Sequence, residues 1–218
     1  MSAHRVFAVI PAAGRSSRMG RPKQLMPYGE GSMLDAVMDA VLESPIDGLV
    51  LVVNREVGAR YEENAEEGLF ISHNDNPTSE MIDSIKIGLA RLMAEFSLTS
   101  DDGVMILPAD QPQIRAGIVT TCAEAFRTRR QPPGILIATY GGHRGHPSIF
   151  RVDILREIES WPAHHGLNQL ARLHPEAVRE VRITTGPMPI DVNTPEDYER
   201  VRASTRLAQP RQGQGERE

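Results

Sequence analysis

The segment "PAAGRSSRMGRPKQL" (11–25) concentrates positive charge in a chain that is otherwise acidic. It carries four cations and no acid, although the 218 residues have a formal net charge of −5. Its cations are Arg15, Arg18, Arg21 and Lys23. Small residues at Ala12, Ala13 and Gly14 let the backbone approach a ligand closely, and successive free N–H groups form a concavity that binds anions. The segment therefore suits a polyphosphate, whose charge needs several donors at once.

The spacing in this segment matches neither of the common phosphate-binding motifs. Five residues separate Gly14 from Gly20, and no Lys-Ser or Lys-Thr pair follows Gly20. The dinucleotide-binding fingerprint is also absent from the segment. A surface loop that is basic by chance remains the alternative interpretation.

A second group of residues, "LPADQPQI" (107–114), follows an apolar strand. Asp110 should lie at the carboxyl edge of the sheet, beside the basic segment. A carboxylate next to a polyphosphate is repulsive unless a cation lies between them, and Mg²⁺ is bound by carboxylates and phosphates. Alternatively, Asp110 only shapes the turn before Gln111 and Pro112.

Two further segments contain candidate ligands. In "PIDVNTPEDY" (189–198), Thr194 and the residues after it resemble a helix start, whereas Asp191 is a candidate second metal ligand. In "GGHRGHPSIF" (141–150), a glycine-rich loop with His146 would line a substrate cleft. A zinc site is the alternative there, although no cysteine or carboxylate completes it at familiar spacing. Its histidines would be His143, His146, His164 and His165.

Strands and helices alternate along the chain and must position these residues. The predicted strands are 5–10, 48–54, 69–72, 103–107 and 134–139, and the predicted helices are 32–44, 55–67, 80–96 and 114–129. Later segments predict a hairpin or loop entering a strand at 141–150, helices at 151–160 and 165–173, and short strands at 177–183 and 188–192. Such alternation indicates a three-layer α/β/α sandwich with a mostly parallel, Rossmann-like sheet. We expect one domain over 1–202 and a disordered tail over 203–218.

Composition narrows the class of protein. Forty per cent hydrophobic and 24 % charged residues are typical of a globular protein, and the net acidity argues against a general binder of nucleic acid or membrane surfaces. The single cysteine, Cys122, excludes an internal disulfide and is expected to be a buried, inert thiol. Without a recognisable signal peptide or membrane-span-length apolar run, we expect a soluble cytoplasmic protein.

These motifs together resemble a known family. The pattern "AAG…RMG…K" is similar to the signature of nucleotidyltransferases of GT-A-like fold. The motifs "LPADQP", "GHP…F" and "DVNTPED" resemble the molybdenum cofactor nucleotidyltransferase-like branch, closest to the molybdenum cofactor cytidylyltransferases. The resemblance covers about residues 5 to 202.

The resemblance implies that a terminal phosphate of molybdopterin attacks the α-phosphorus of a nucleoside triphosphate and that pyrophosphate leaves. Arg18 and Lys23 would bind the phosphates, and Asp110 would bind Mg²⁺ with Asp191. The nucleotide site would consist of Ala12, Ala13, Gly14, Arg15, Ser16, Ser17 and Lys23. The acceptor side would include Gly145, His146 and Pro147.

The resemblance supports the assignment of the nucleotide better than the assignment of the acceptor. Ala13 stands where the guanylyl branch usually has glycine, which favours CTP. The segment "EMIDSI" replaces the family's Gly-Met-Ser-x-Ser-Leu, so Glu80 and Asp83 add acids. "AHHGLNQLAR" lacks the family's Asp–Arg pattern. Two alternatives therefore stay open: a cytidylyl- or uridylyltransferase for another acceptor, such as a sugar or polyol phosphate, and a non-catalytic nucleotide-binding regulatory protein.

Overall fold

A computed structural model describes residues 4–16, 19–62, 68–128 and 130–208 of the chain. The strands are β1 (Val6–Ala12), β2 (Pro27–Tyr28), β3 (Gly31–Ser32), β4 (Leu49–Val53), β5 (Leu69–His73), β6 (Gly103–Ile106), β7 (Ile135–Tyr140), β8 (His143–Arg151) and β9 (Val178–Ile183). The α-helices are α1 (Met33–Leu42), α2 (Arg55–Gly58), α3 (Met81–Glu95), α4 (Ala116–Arg127), α5 (Val152–Leu155), α6 (Asn168–Leu173) and α7 (Pro195–Ala208). Short 3-10 helices cover Lys23–Leu25, Arg156–Ser160 and Pro175–Ala177.

Seven of the described strands form one sheet in the order β5-β4-β1-β6-β8-β7-β9. β8 runs antiparallel to both of its neighbours, and the other pairings are parallel. The turn between β7 and β8 places two glycines, Gly141 and Gly142, at positive φ, where a side chain would be strained. Because β1 pairs in parallel with both β4 and β6, the carboxyl ends of these three strands meet at one edge of the sheet.

Helices cover both faces of the sheet, as the alternation along β1 demonstrates. Val6, Ala8 and Ile10 pack in one core with α1 and α4, whereas Phe7 and Val9 pack in a second core with α3. Because successive side chains of a strand point to opposite faces, a fully apolar strand supplies both cores at once. The predicted three-layer α/β fold with a mostly parallel sheet is confirmed.

Several local predictions differ from the structure. The short strand predicted at 188–192 is wrong, since this segment forms no ladder and instead donates one backbone N–H, that of Val192, to the Asp110 carbonyl at 3.1 Å. Of the predicted helix over 55–67, the structure has an α-helix at Arg55–Gly58, and 63–67 lie outside the described residues.

The chain's end and its cysteine bear on two further expectations. Helix α7 continues to Ala208, so residues 203–208 of the expected disordered tail are helical, and 209–218 lie outside the described residues. Cys122 is fully buried, as expected, and burial raises the pKa of its thiol to about 12.

In the part of the chain that the structure describes, no helix combines the length and apolar character needed to cross a bilayer.

Close packing of α3 on the sheet depends on Gly88. A Cβ at this position would lie 2.5 Å from Val9 Cγ1 and 3.3 Å from Val52 Cγ2. We expect Gly88→Ala to lower the free energy of unfolding by about 1–3 kcal/mol, because overpacking outweighs the better helix propensity of alanine. Denaturant unfolding measures the change. Gly117→Ala in α4 is the control, since a Cβ there meets no described atom within 4 Å, and an equal loss in both variants would contradict the packing argument.

Candidate active site

The loop after β1 is fixed by side chains that bind its carbonyl groups. Gln24, which is only 2 % exposed, donates from Nε2 to the carbonyl oxygens of Ala12 at 2.9 Å and Gly14 at 2.7 Å. Asn54, at the end of β4, donates from Nδ2 to the carbonyl of Ala13 at 3.0 Å. Three consecutive peptide groups are thereby held in place, as a loop that must approach a ligand closely requires.

The loop then turns back towards the Lys23–Leu25 3-10 helix through Ser16. Ser16 has a φ of 53°, and its Oγ accepts from the backbone N of Lys23 at 3.0 Å. Arg15 and Arg21 are exposed. Ser17 and Arg18, which the sequence predicts to bind phosphate, lie outside the described residues.

Lys23 connects three segments of the chain at the sheet edge. Its Nζ donates to Asp110 Oδ2 at 2.6 Å, to the Val192 carbonyl at 2.9 Å and to Asn193 Oδ1 at 3.2 Å. The Lys23 and Asp110 side chains are 16 % and 15 % exposed. An ammonium has three protons to donate, so these contacts use all of them. The basic loop and the carboxylate that were assigned to one sheet edge from the sequence are thus in direct contact.

Asp191 lies beside this contact and is held by a different partner. Gln111 Nε2 donates to Asp191 Oδ1 at 2.6 Å. Asp110 carries a cation on its carboxylate, whereas Asp191 is contacted by a neutral amide. With Lys23, the two carboxylates sum to one net negative charge at this edge.

Two cavities open at the edge of the sheet. The first, of about 370 Å³, is lined by residues of the β1 loop and of the β6 end, including Ala13, Gly14, Lys23 and Asp110. The second, of about 560 Å³, has an apolar floor and a polar rim. Glu80 and Met81, at the start of α3, line both cavities. Two ligands bound in these cavities would therefore be neighbours.

Two of the three predicted acceptor-side residues line the larger cavity. Gly145 and His146 line it, whereas Pro147 is buried outside its wall. Burial lowers the pKa of His146, and the charges of Asp191 and Asp110 oppose this shift. His146 Nδ1 is buried and has no hydrogen-bond partner within the described residues.

The four histidines considered for zinc do not come together as one set. His143 is exposed on β8, and His164 and His165 contact each other with ring centroids 4.5 Å apart. Over residues 4–16, 19–62, 68–128 and 130–208, no three His, Cys, Asp or Glu side chains form a group able to hold a metal. A divalent cation at Asp110 and Asp191 would thus need further ligands from elsewhere.

The two acids of the "EMIDSI" segment have different environments. Asp83 Oδ2 accepts from the backbone N of Glu80 at 2.9 Å, so Asp83 helps to cap α3. Glu80 is exposed on the wall shared by the two cavities. Only one of the added acids, Glu80, therefore faces the candidate site.

Sequence reasoning missed the residues that hold the site together. Gln24 and Gln111 are buried and donate to the Gly14 carbonyl at 2.7 Å and to Asp191 Oδ1 at 2.6 Å, yet the sequence motifs do not point to either of them. Gln111 stands directly after Asp110 and before a proline, a pattern typical of a turn. A polar side chain in such a place gives no signal of its distant partner.

A mostly parallel sheet with a small-residue loop, a lysine and a carboxylate at its carboxyl edge is the arrangement that the sequence predicts for a nucleotidyltransferase. The sequence profile of the MobA-like NTP transferase domain matches residues 8–180. The chain belongs to this family.

Individual relatives agree with that class. The molybdenum cofactor cytidylyltransferase of Escherichia coli K12 is 22 % identical over 194 residues, which are 88 % of this chain and 93 % of the relative. A 2-C-methyl-D-erythritol 4-phosphate cytidylyltransferase of Pseudomonas paraeruginosa is 29 % identical over 144 residues, 61 % of this chain and 56 % of the relative.

A solved structure matches the whole fold. The crystal structure of Rv0371c from Mycobacterium tuberculosis H37Rv is 26 % identical, with a TM-score of 0.76 over 93 % of this chain and 100 % of that one. The same protein has been solved in complex with manganese, with a TM-score of 0.70 and 25 % identity over 92 % of this chain and 99 % of that one.

Proposed function

We propose that this chain transfers CMP from CTP to the terminal phosphate of a phosphorylated acceptor, with molybdopterin as the favoured acceptor. An acceptor phosphate oxygen attacks the α-phosphorus, the bond from the α-phosphorus to the α,β-bridging oxygen breaks, and pyrophosphate leaves with the electron pair of that bond. The observation that carries the proposal is the contact between Lys23 and Asp110 on the wall of the 370 Å³ cavity. Positioning and charge neutralisation account for most of the catalysis in such transfers.

The chain's own residues would share the work in the smaller cavity. The β1 loop would hold the nucleotide. Gln24 and Asn54 already bind its carbonyl groups and so fix the position of the loop. When a triphosphate is bound, Lys23 would exchange contacts within the chain for phosphate oxygens and stabilise the charge that builds up on the leaving pyrophosphate.

Asp110 and Asp191 would hold a Mg²⁺ ion. Carboxylate oxygens from one or two side chains, with phosphates and water, are the ligands that Mg²⁺ takes in such sites. The described residues offer two carboxylates and no third protein ligand of this kind, which agrees with a metal that arrives with a triphosphate. When bound, the ion would neutralise phosphate charge and orient the α-phosphate.

The larger cavity supports an acceptor with a ring system whose faces can pack on apolar side chains. Its floor consists of the side chains of Ile82, Ile85, Ile106, Ile137 and Phe150. Arg172 lines the cavity and is exposed, so it would attract anionic groups, whereas Arg144 is already paired with Glu180 at 2.8 Å. A polyol phosphate would leave this apolar floor unmatched, so the heterocycle of molybdopterin is favoured over it.

Nucleotide selectivity tests the proposal most directly. With Mg²⁺ present, we expect CTP to raise the melting temperature more than UTP, ATP or GTP, because a ligand that binds only the folded state stabilises it by about 2.7 kcal/mol at one hundred times its Kd. CMP is the control for the triphosphate.

Turnover separates the three candidate functions. Pyrophosphate release with molybdopterin supports the proposal. Release only with a sugar or polyol phosphate would show that this compound, and not molybdopterin, is the acceptor. Stabilisation by CTP without release in either case would indicate the non-catalytic binder.

A further inference from the structure

Gln111 is placed to control the orientation of Asp191. Asp191 is exposed, so nothing in its own burial fixes its carboxylate. Gln111 is 6 % exposed, and its Nε2 donates to Asp191 Oδ1 at 2.6 Å. Because a carboxylate only accepts, the nitrogen side of the amide must be the one that faces Asp191. A rigid, buried side chain thus holds a carboxylate that is free to face the solvent.

The other end of the Gln111 amide supports a functional reason for this contact. Its Oε1 is buried and has no hydrogen-bond partner among the described residues. A buried acceptor without a partner opposes folding, so a glutamine here is worse for stability than an apolar residue of the same shape. The contact with Asp191 is the one polar interaction of this side chain that the structure records.

The chemistry of an amide also matters at this position. Asp110 is already paired with Lys23, so a second lysine at position 111 would leave the two carboxylates without net negative charge to attract a cation, and a carboxylate there would repel Asp191. An amide orients one carboxylate oxygen and leaves both the full negative charge and the second oxygen available. The backbone adds to this geometry, since the N–H of Val192 donates to the Asp110 carbonyl at 3.1 Å and sets the two carboxylate-bearing segments side by side.

From this geometry we infer that Gln111 is a positioning residue, which holds Asp191 so that it can bind a divalent cation together with Asp110. The inference rests on the proposed function only in taking Asp191 as a cation ligand. Partners that orient a ligand in this way contribute about 10- to 100-fold to metal affinity.

The inference is tested by measuring Mn²⁺ binding to the full chain. Binding is monitored as the decrease in the electron paramagnetic resonance signal of unbound Mn²⁺. With a non-hydrolysable CTP analogue present, Gln111→Met should weaken Mn²⁺ binding by about tenfold or more. Gln113→Met is the matched control, because Gln113 lies in the same loop and its Oε1 is also buried without a partner among the described residues. It should bind Mn²⁺ like the wild type. Gln111→Leu removes the same donor with a different shape and replaces the methionine variant if that variant folds poorly.

A double-mutant cycle with Asp191→Asn decides whether Gln111 acts through Asp191. In the Asp191→Asn background, Gln111→Met should change Mn²⁺ affinity by less than about twofold, since the carboxylate that it positions is gone. Additive losses, equal effects of Gln111→Met and Gln113→Met, or unchanged affinity in Asp191→Asn would each overturn the inference. Failure of the proposed function is a separate result: the wild type would then release no pyrophosphate while its Mn²⁺ binding still depended on Gln111.

Discussion

Asp110→Ala is expected to lower the rate of pyrophosphate release by about 10²- to 10³-fold, the effect of losing one group that stabilises charge in a transition state. The carboxylate would bind the cation that neutralises the triphosphate, and neither alanine nor asparagine supplies that charge. Steady-state assays at saturating CTP measure the loss, and the circular dichroism spectrum should remain that of the wild type. Asp110→Asn, which keeps the shape of the side chain, should lose nearly as much activity.

The control for this variant lies at the opposite end of the same strand. Asp101 is exposed just before β6, whereas Asp110 follows its carboxyl end. Asp101→Asn makes the same change in net charge and should retain wild-type activity. Full activity in Asp110→Ala would refute the metal assignment. Equal losses of activity in the Asp101 and Asp110 variants would show that the change in net charge alone causes the effect.

Lys23→Met should lower kcat/KM for CTP by about 10²- to 10³-fold, because the ammonium is the cation nearest to the carboxylate site among the described residues. Lys23→Arg should rescue little of this loss. A planar guanidinium cannot reproduce the three divergent bonds that Lys23 makes to Asp110, Val192 and Asn193. Initial rates over a range of CTP concentrations separate the change in kcat from the change in KM.

Arg21→Met is the matched control for Lys23→Met. Arg21 lies in the same basic loop and is exposed, so it tests whether any positive charge of the loop suffices. It should lower kcat/KM by less than about threefold, as expected for a solvated charge screened by salt. Comparable losses in the two variants would contradict a specific role for Lys23 and would indicate general electrostatic attraction instead.

The sequence predicted the architecture because its hydrophobic pattern is regular. Fully apolar segments such as Leu49–Val53 occur where a strand is buried on both faces, and the helix α3 repeats its apolar residues at helical spacing. Alternation of these elements restricts the topology to a mostly parallel sheet. The same reasoning assigned the basic loop and Asp110 to one edge, where Lys23 and Asp110 are now found 2.6 Å apart.

The pattern was a poor guide where structure depends on distant partners. The segment 188–192 alternates like a strand, but it is bound through single contacts, one of which joins Val192 to Asp110. Short apolar segments do not carry enough periodicity to distinguish a ladder from such an extended connection.

By itself, therefore, the sequence determined the class of fold and brought the basic loop and Asp110 to one edge of the sheet, and it predicted residue types that we propose to bind a metal-bound triphosphate. Local periodicity and turn chemistry are encoded within a few neighbouring residues, and these suffice for that much. Only the tertiary structure decided that Gln24 holds the β1 loop, that Lys23 donates to three segments and that Gln111 contacts Asp191. Hydrogen bonds such as the last, which joins residues 80 positions apart, depend on how the layers pack, and no local pattern encodes that distance.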